Sequence, residues 1–343
     1  MRTDSQQLIS VVDVTPENIE PRTQRVQRLR RLAQFSFFIA FLLAPVLNIF
    51  RYDMPSHGFI VFGMPWTLGI DDFAAGHITS VQLGTNLLVR GVLPIISFIA
   101  LVIWISWRYG RVYCGWLCPH FSVVETINQT MRRAIGRQSI WEKHPQPEKN
   151  PDGTVVERDA LWWLAVVPLA IGFAFLWVIT FVTYVWPPLQ VWPDLFNGTL
   201  PRFQRIMLIA GTIVFSLEFL FARHLFCRFA CAVGLFQSLA WMGNRKAMVV
   251  GYERGRAPEC AGCESECDNA CPMRLKPRNV KRMMFSCVQC GQCLNACAHV
   301  QKDNADGALL TWVHEDRAGD EAAFNTRAAK QQAQRHDTPV GSV

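Results

Sequence analysis

Four long apolar stretches set the order of this chain. Leu32 to Phe50, Leu87 to Trp107, Leu161 to Trp186 and Ile206 to Ala222 are apolar apart from small polar residues and isolated charges. About twenty such residues cross a bilayer as a helix, because a helix satisfies its own backbone hydrogen bonds where water is absent. Each stretch is therefore expected as a membrane span. Gly58 to Ile70 is also apolar but too short to cross, and Pro65 and its glycines argue against a buried helix, so an interfacial segment is expected there. The prolines at 187, 188, 193 and 201 read as a short outer loop. The tail beyond about His314 lacks periodicity and is expected to be disordered.

Charge orients these spans. Arg22, Arg25, Arg28, Arg30 and Arg31 precede the first, Arg108 and Arg111 follow the second, and Arg132, Arg133, Arg137, Lys143 and Lys149 fill the next loop. Asp53, Asp71 and Asp72 lie in the loop after the first span. Basic loops stay on the cytoplasmic side, which places the N-terminus and everything after the fourth span there. No apolar run near Met1 suggests a cleavable signal peptide. The net charge of +7 invites a nucleic-acid reading, but the basic residues are scattered beside apolar runs rather than gathered on one face. A lipid bilayer accounts for them, and nucleic acid is not expected as a partner. Half the residues are hydrophobic and the mean hydropathy is +0.14, too apolar for a soluble domain of this length.

The candidate chemistry lies in twelve cysteines. Eight fall between Cys260 and Cys297, as Cys260, Cys263, Cys267 and Cys271, followed by Cys287, Cys290, Cys293 and Cys297. A C-x-x-C-x-x-C loop wraps one corner of a cubane iron–sulfur cluster, and the fourth thiolate comes from elsewhere; in two-cluster ferredoxins the last cysteine of each run serves the other cluster. On that pattern Cys287, Cys290, Cys293 and Cys271 hold one [4Fe-4S] cluster, and Cys260, Cys263, Cys267 and Cys297 hold the other. The first run departs from the pattern, with three residues between Cys263 and Cys267. Zinc knuckles and disulfides are the alternatives. Zinc sites commonly space their C-x-x-C pairs more widely and recruit His, and a reducing compartment disfavours disulfides.

The other four cysteines follow the second and fourth spans, as Cys114 with Cys118 and Cys227 with Cys231. Residues four apart share a helix face, and Pro119 suits the first turn of a new helix. Brought together, the pairs would form a four-thiolate site, a donor set selective for copper(I), zinc or iron–sulfur; the bland alternative is small buried residues at helix ends. His120 reads as a polar neighbour or a ligand. Glu218 reads as a carboxylate near the inner end reaching Arg223 or Arg228, with a proton relay or ligand as the alternative. No pair of intramembrane histidines suggests haem. Met273, Met283 and Met284 are expected to pack the module rather than bind copper. Lys276, Arg278, Lys281 and Arg282 form a basic strip, either a solvated face or a dock for an acidic carrier.

The spans, Tyr113-Cys114-Gly115-Trp116-Leu117-Cys118-Pro119, the stretch from Cys227 to Gln237 and the two-cluster module together resemble the membrane polyferredoxin superfamily that includes CcoG (FixG or RdxA), NapH and the membrane part of NosR. The similarity runs from about Arg22 to Trp312 and is greatest to the CcoG-like branch. The resemblance implies an electron-transfer protein of the bacterial inner membrane, linked in that branch to reduction of copper for a respiratory oxidase, with the membrane-edge cysteines implicated. Relatives serving nitrate and nitrous oxide reductases imply exchange with quinone. Ala232 stands where the family usually has a proline, and the family's fifth span and periplasmic immunoglobulin-like domain are not expected here.

The expected architecture is an α-helical integral membrane protein of four transmembrane helices with a cytoplasmic ferredoxin-like domain carrying two [4Fe-4S] clusters. Residues 1–31 form a cytoplasmic segment, 32–243 the membrane domain, 244–313 the cluster domain and 314–343 the tail. The expected function is transfer of electrons from a soluble donor or quinone through the clusters to Cys114, Cys118, Cys227 and Cys231, with cupric ion as a candidate acceptor and an oxidase or reductase as a candidate partner. A quinol-linked conduit subunit and a metal-binding assembly factor without turnover are the alternatives.

Overall fold

The computed structural model describes residues 16–54, 58–150, 154–261 and 263–323. Helix α1 (Pro16–Val46) leads into a three-stranded antiparallel sheet of β1 (Phe50–Asp53), β2 (Gly58–Val61) and β3 (Met64–Trp66), in which Phe50 faces Val61 and Phe59 faces Trp66. The short apolar segment after the first span, expected not to be a buried helix, is mostly strand. Its alternation of aromatic and β-branched residues suits a pleated surface. Two short helices follow, α2 (Ile70–Ala74) and α3 (Ser80–Asn86), the latter begun by a capping box between Thr79 and Gln82. A π-helical turn (Leu87–Val92) then runs without a break into α4 (Leu93–Tyr109), immediately before Pro94, whose missing N–H interrupts the regular hydrogen-bond ladder.

Beyond α4 the chain breaks twice, giving α5 (Val112–Trp116) and α6 (Pro119–Ile135). Helix α7 (Trp163–Val185) returns, and the proline-rich connection expected as a loop is mostly helix α8 (Pro188–Asn197), closed by Gly198 in the left-handed conformation. Helix α9 (Arg202–Leu217) packs along α7 and ends in two π-helical turns, Glu218–Ala222 and Phe226–Ala230, before α10 (Ala232–Gly243) packs against α4.

Among the described residues, four helical segments are long and apolar enough to cross a membrane: Arg22–Val46, Ser80–Tyr109, Ala160–Val185 and Arg202–Ala222. They contain the four expected spans, apart from a few residues at their ends. Helix α6, by contrast, is amphipathic. Its Val123, Val124, Ile127 and Met131 bury against Val166, Ala170 and Ala174 of α7 and against Phe219, the stripe spacing of a helix lying on a core.

The cysteine-rich module is framed by a strand pair, β4 (Val249–Tyr252) and β5 (Leu310–Val313), with Val249 opposite Val313 and Tyr252 opposite Leu310. Between them lie α11 (Glu266–Asn269) and α12 (Gln292–Val300), and after them α13 (Asp316–Ala323). The last corrects the expectation of disorder beyond His314. Ala318 is fully buried, and Glu321 makes a two-pronged ion pair with Arg254, both contacts at 2.8 Å. Residues 324–343, the rest of that tail, lie outside the described residues.

The module is fastened to the membrane end of the helices by buried polar contacts. Arg30 of α1 forms a bidentate pair with Glu125 of α6, at 2.9 and 2.7 Å, and Gln292 of α12 also donates to Glu125. Gln27 donates to the carbonyl of Cys290 at 2.8 Å. Lys281 donates to the carbonyls of Trp241 and Asn244, capping the last turn of α10. Removing one partner of a buried ion pair strands the other. Arg30→Met is therefore expected to cost about 3–5 kcal/mol, read as a lowered thermal midpoint, and Arg30→Met with Glu125→Met is expected to recover much of the loss.

Candidate iron–sulfur and membrane-edge thiol site

All twelve cysteines are free thiols. Two cavities take up eight of them. One is lined by Cys260, Cys263, Cys267 and Cys297, with Tyr252, Leu309 and Leu310 around them. The other is lined by Cys271, Cys287, Cys290 and Cys293, among Met273, Leu275, Met284, Val288 and Trp312. These are the two quartets of the alternating ferredoxin pattern, and the extra residue before Cys267 leaves that thiol on its cavity wall. Met273 and Met284 are buried packing residues of the second cavity.

The donor sets fit cubanes better than single ions. Among the described residues, no three His, Cys, Asp or Glu side chains converge closely enough to hold one metal ion. Tetrahedral zinc needs all its sulfurs about 2.3 Å from one centre, whereas a cubane offers separate corners, one thiolate to each. Backbone N–H groups also point at the sulfurs. Leu275 donates to Cys271 Sγ at 3.4 Å, and Leu309 and Leu310 donate to Cys297. Burial pushes the Cys290 thiol up to about 12, so an iron–sulfur cluster would have to displace protons to bind.

The membrane-edge cysteines straddle helix breaks. Cys114 lies inside α5 and Cys118 is the residue capping α6; Cys227 lies in the second π-helical turn and Cys231 caps α10. Neither pair shares one helix, which corrects the face argument. The break at Pro119 suits its N1 position, and Ala232 fills the equivalent place at the start of α10. Cys114, Cys118 and Cys227 share one buried core with Cys231 nearby, but no three of the four converge closely enough to hold one ion. Cys231 acts electrostatically on Cys114, Cys118 and Cys227, and burial drives Cys118 to about 12 and Cys227 well above its ordinary value.

Around them stand groups that sequence reasoning missed or misplaced. Arg111, 1% exposed, donates to the carbonyl of Cys227 at 2.8 Å and lies 3.9 Å from Cys114 Sγ. It partly offsets the burial that pushes the Cys114 thiol up. Its guanidinium occupies the space beside Gly234, where a Cβ would stand 2.0 Å from Nη2. Glu218 pairs at 3.0 Å with His120 rather than with Arg223 or Arg228, and His120 Nδ1 faces Cys227 Sγ at 3.6 Å. Gln237 lies 3.8 Å from Cys114 Sγ. The only sequence signal for Arg111 was its place three residues before Cys114.

The basic strip is largely spoken for. Lys281 is 2% exposed and Arg278 pairs with Asp268 at 2.8 Å, leaving Lys276 and Arg282 exposed.

The two thiol regions touch. Gly115 abuts the loop of Val288 to Cys290 so closely that a Cβ there would lie 2.1 Å from the Val288 carbonyl oxygen. Trp116 Nε1 donates to the Gln289 carbonyl at 3.0 Å. Cys114, Cys118 and Cys227 share one buried core with Cys271, Cys287 and Cys290.

The family described as a 4Fe-4S binding domain matches residues 91–138 and 204–247. Those two segments carry the membrane-edge cysteines rather than the module. Among curated proteins, MJ0750 of Methanocaldococcus jannaschii, named as uncharacterized, is 25% identical over 207 residues, covering 59% of this chain and 75% of its own. The "Putative electron transport protein YccM" of Escherichia coli K12 is 23% identical over 226 residues, 61% of this chain and 56% of YccM. Protein RdxA of Cereibacter sphaeroides is 29% identical over 241 residues, 62% of this chain and 46% of RdxA. The chain thus spans about half the length of YccM and RdxA. No solved structure matches it.

Among the described residues, four helices long and apolar enough to cross a membrane join a module with two four-thiol cavities, and part of the chain matches a 4Fe-4S binding domain. The chain is similar over part of its length to the 4Fe-4S binding domain family and to YccM and RdxA.

Proposed function

We propose that the module holds two [4Fe-4S] clusters on the cytoplasmic face of the bacterial inner membrane and passes electrons to Cys114, Cys118, Cys227 and Cys231. The outer cluster, on Cys260, Cys263, Cys267 and Cys297, feeds the inner one, on Cys271, Cys287, Cys290 and Cys293. The inner one reduces a thiophilic ion arriving at the membrane-edge thiols, which would draw together on it, since no three of them converge closely enough to hold it here. Cupric ion is the acceptor that the donor set favours, since soft thiolates stabilise copper(I). One electron leaves a reduced cluster and one cupric ion becomes cuprous, so no further reactant is needed.

The carrying observation is the contact of Gly115 and Trp116 with the Val288–Cys290 loop, which puts the thiol that follows Arg111 against the inner quartet. This chain's own residues do the positioning. Arg111 holds the two halves of the thiol site together and supplies a buried positive charge beside Cys114, favouring its thiolate form. The backbone N–H groups aimed at cluster sulfurs would tune potential.

The test is cupric reduction by dithionite-reduced protein. Cys114→Ser with Cys118→Ser is expected to abolish it while the cluster spectrum stays intact. Unchanged copper reduction would remove the proposal, and reduction of the clusters by quinol with indifference to copper would replace it by the conduit reading.

A further inference from the structure

A groove of about 630 Å³ opens between α1, α6 and the module. On one wall stand Arg28 and Arg31, both exposed; on the other stand Arg132 and Arg133. Arg30 also reaches this groove, but its charge is matched by Glu125. Glu266 is the remaining acidic group of the lining, so the groove is strongly basic. Its floor includes Ala270 and Ala296. Ala270 precedes Cys271, of the inner quartet, and Ala296 precedes Cys297, of the outer quartet. Nothing larger than a methyl group at either position stands between the groove and the backbone next to a thiol of each cavity.

Building on the electron path proposed above, we infer that this groove is the dock for an acidic, soluble one-electron carrier that loads the clusters. The chemistry of the walls selects among occupants. A flavin or nicotinamide reductant needs a broad face to stack on, and the groove's lining contains no Phe, Tyr or Trp, only the small ring of His299. A lipid acyl chain needs an apolar wall, and only Val156, Ala270 and Ala296 are apolar here. Cubane clusters change charge one electron at a time, which suits a protein donor carrying a cluster or flavin of its own. Opposed charge steers such a partner and raises its association rate by about 10–1000-fold at low salt. The strip at Lys276 to Arg282 is a weaker dock, because Lys281 is buried and Arg278 is paired.

The experiment places the full chain, with clusters oxidised, in nanodiscs of neutral lipid. It is mixed anaerobically with a reduced plant-type ferredoxin as the acidic probe, and bleaching of the clusters is followed by stopped flow. The ferredoxin rate is expected to fall about tenfold from low salt to about 0.3 M. Arg28→Glu with Arg31→Glu is expected to lower the low-salt rate about tenfold, and Arg28→Gln with Arg31→Gln to lower it by less. Neither pair should slow reduction by the methyl viologen radical, which needs no dock. Wild-type rates in the charge-reversed protein would overturn the dock. So would a loss carried by Lys276→Glu with Arg282→Glu instead, or a loss confined to nanodiscs of anionic lipid, which would assign the arginines to headgroups. Absence of clusters from the wild-type protein would sink the electron-path reading itself, whereas a cluster-loaded protein indifferent to Arg28 and Arg31 sinks the dock alone.

Discussion

In Cys290→Ala, iron is expected to fall from about eight to about four atoms per chain, and copper reduction to fall to background although one cluster remains. Cys290 lines the inner cavity, and its carbonyl accepts from Gln27 of α1. Its loss removes the ligand set that touches the Cys114 loop, leaving the outer quartet of Cys260, Cys263, Cys267 and Cys297 in place. An electron placed on the outer cluster then has no inner cluster to receive it. The reciprocal variant, Cys263→Ala, should also halve the iron but keep copper reduction when a small reductant is supplied in excess. Iron analysis and a copper(I)-chelator assay on both variants separate the roles. Equal copper reduction in the two would show that the order of the clusters is wrong.

Gly115→Ala is expected to leave all twelve thiols in place and still slow transfer to the membrane-edge site. The added methyl would stand 2.1 Å from the Val288 carbonyl oxygen, a backbone atom that cannot swing aside. Either α5 or the cluster loop must retreat, and the Trp116 to Gln289 hydrogen bond stretches with it. Overpacking of this kind costs about 1–3 kcal/mol, and misplacement of two reacting centres slows their reaction by about tenfold or more. The readout is a lower copper-reduction rate at unchanged iron content. An unchanged rate would mean that the contact is structural and that electrons leave by another route.

How much of this was legible in the sequence varied with the kind of signal. The four spans were plain because each buries no polar backbone in lipid and so needs a long apolar run. The grouping of the module's eight cysteines about two cavities followed the alternating spacing of the two runs. The π-helical turns, the sheet at Phe50 to Trp66 and helix α8 were not plain, since proline and glycine mark irregular backbone without saying what replaces a loop. Glu218 shows a sharper limit. Sequence offered nearby arginines as partners, but the partner is His120, nearly a hundred positions away and beside Cys227. The Arg30–Glu125 pair was likewise invisible, because each residue looked ordinary in its own helix and only packing of α1 on α6 joins them.

Anaerobic purification followed by iron, sulfide and zinc analysis, with electron paramagnetic resonance of the reduced protein, tests the central claim most directly. Two cubanes in one module predict about eight irons and eight sulfides per chain and a reduced-state spectrum broadened by coupling between neighbouring clusters. A colourless protein rich in zinc and silent on reduction would contradict it.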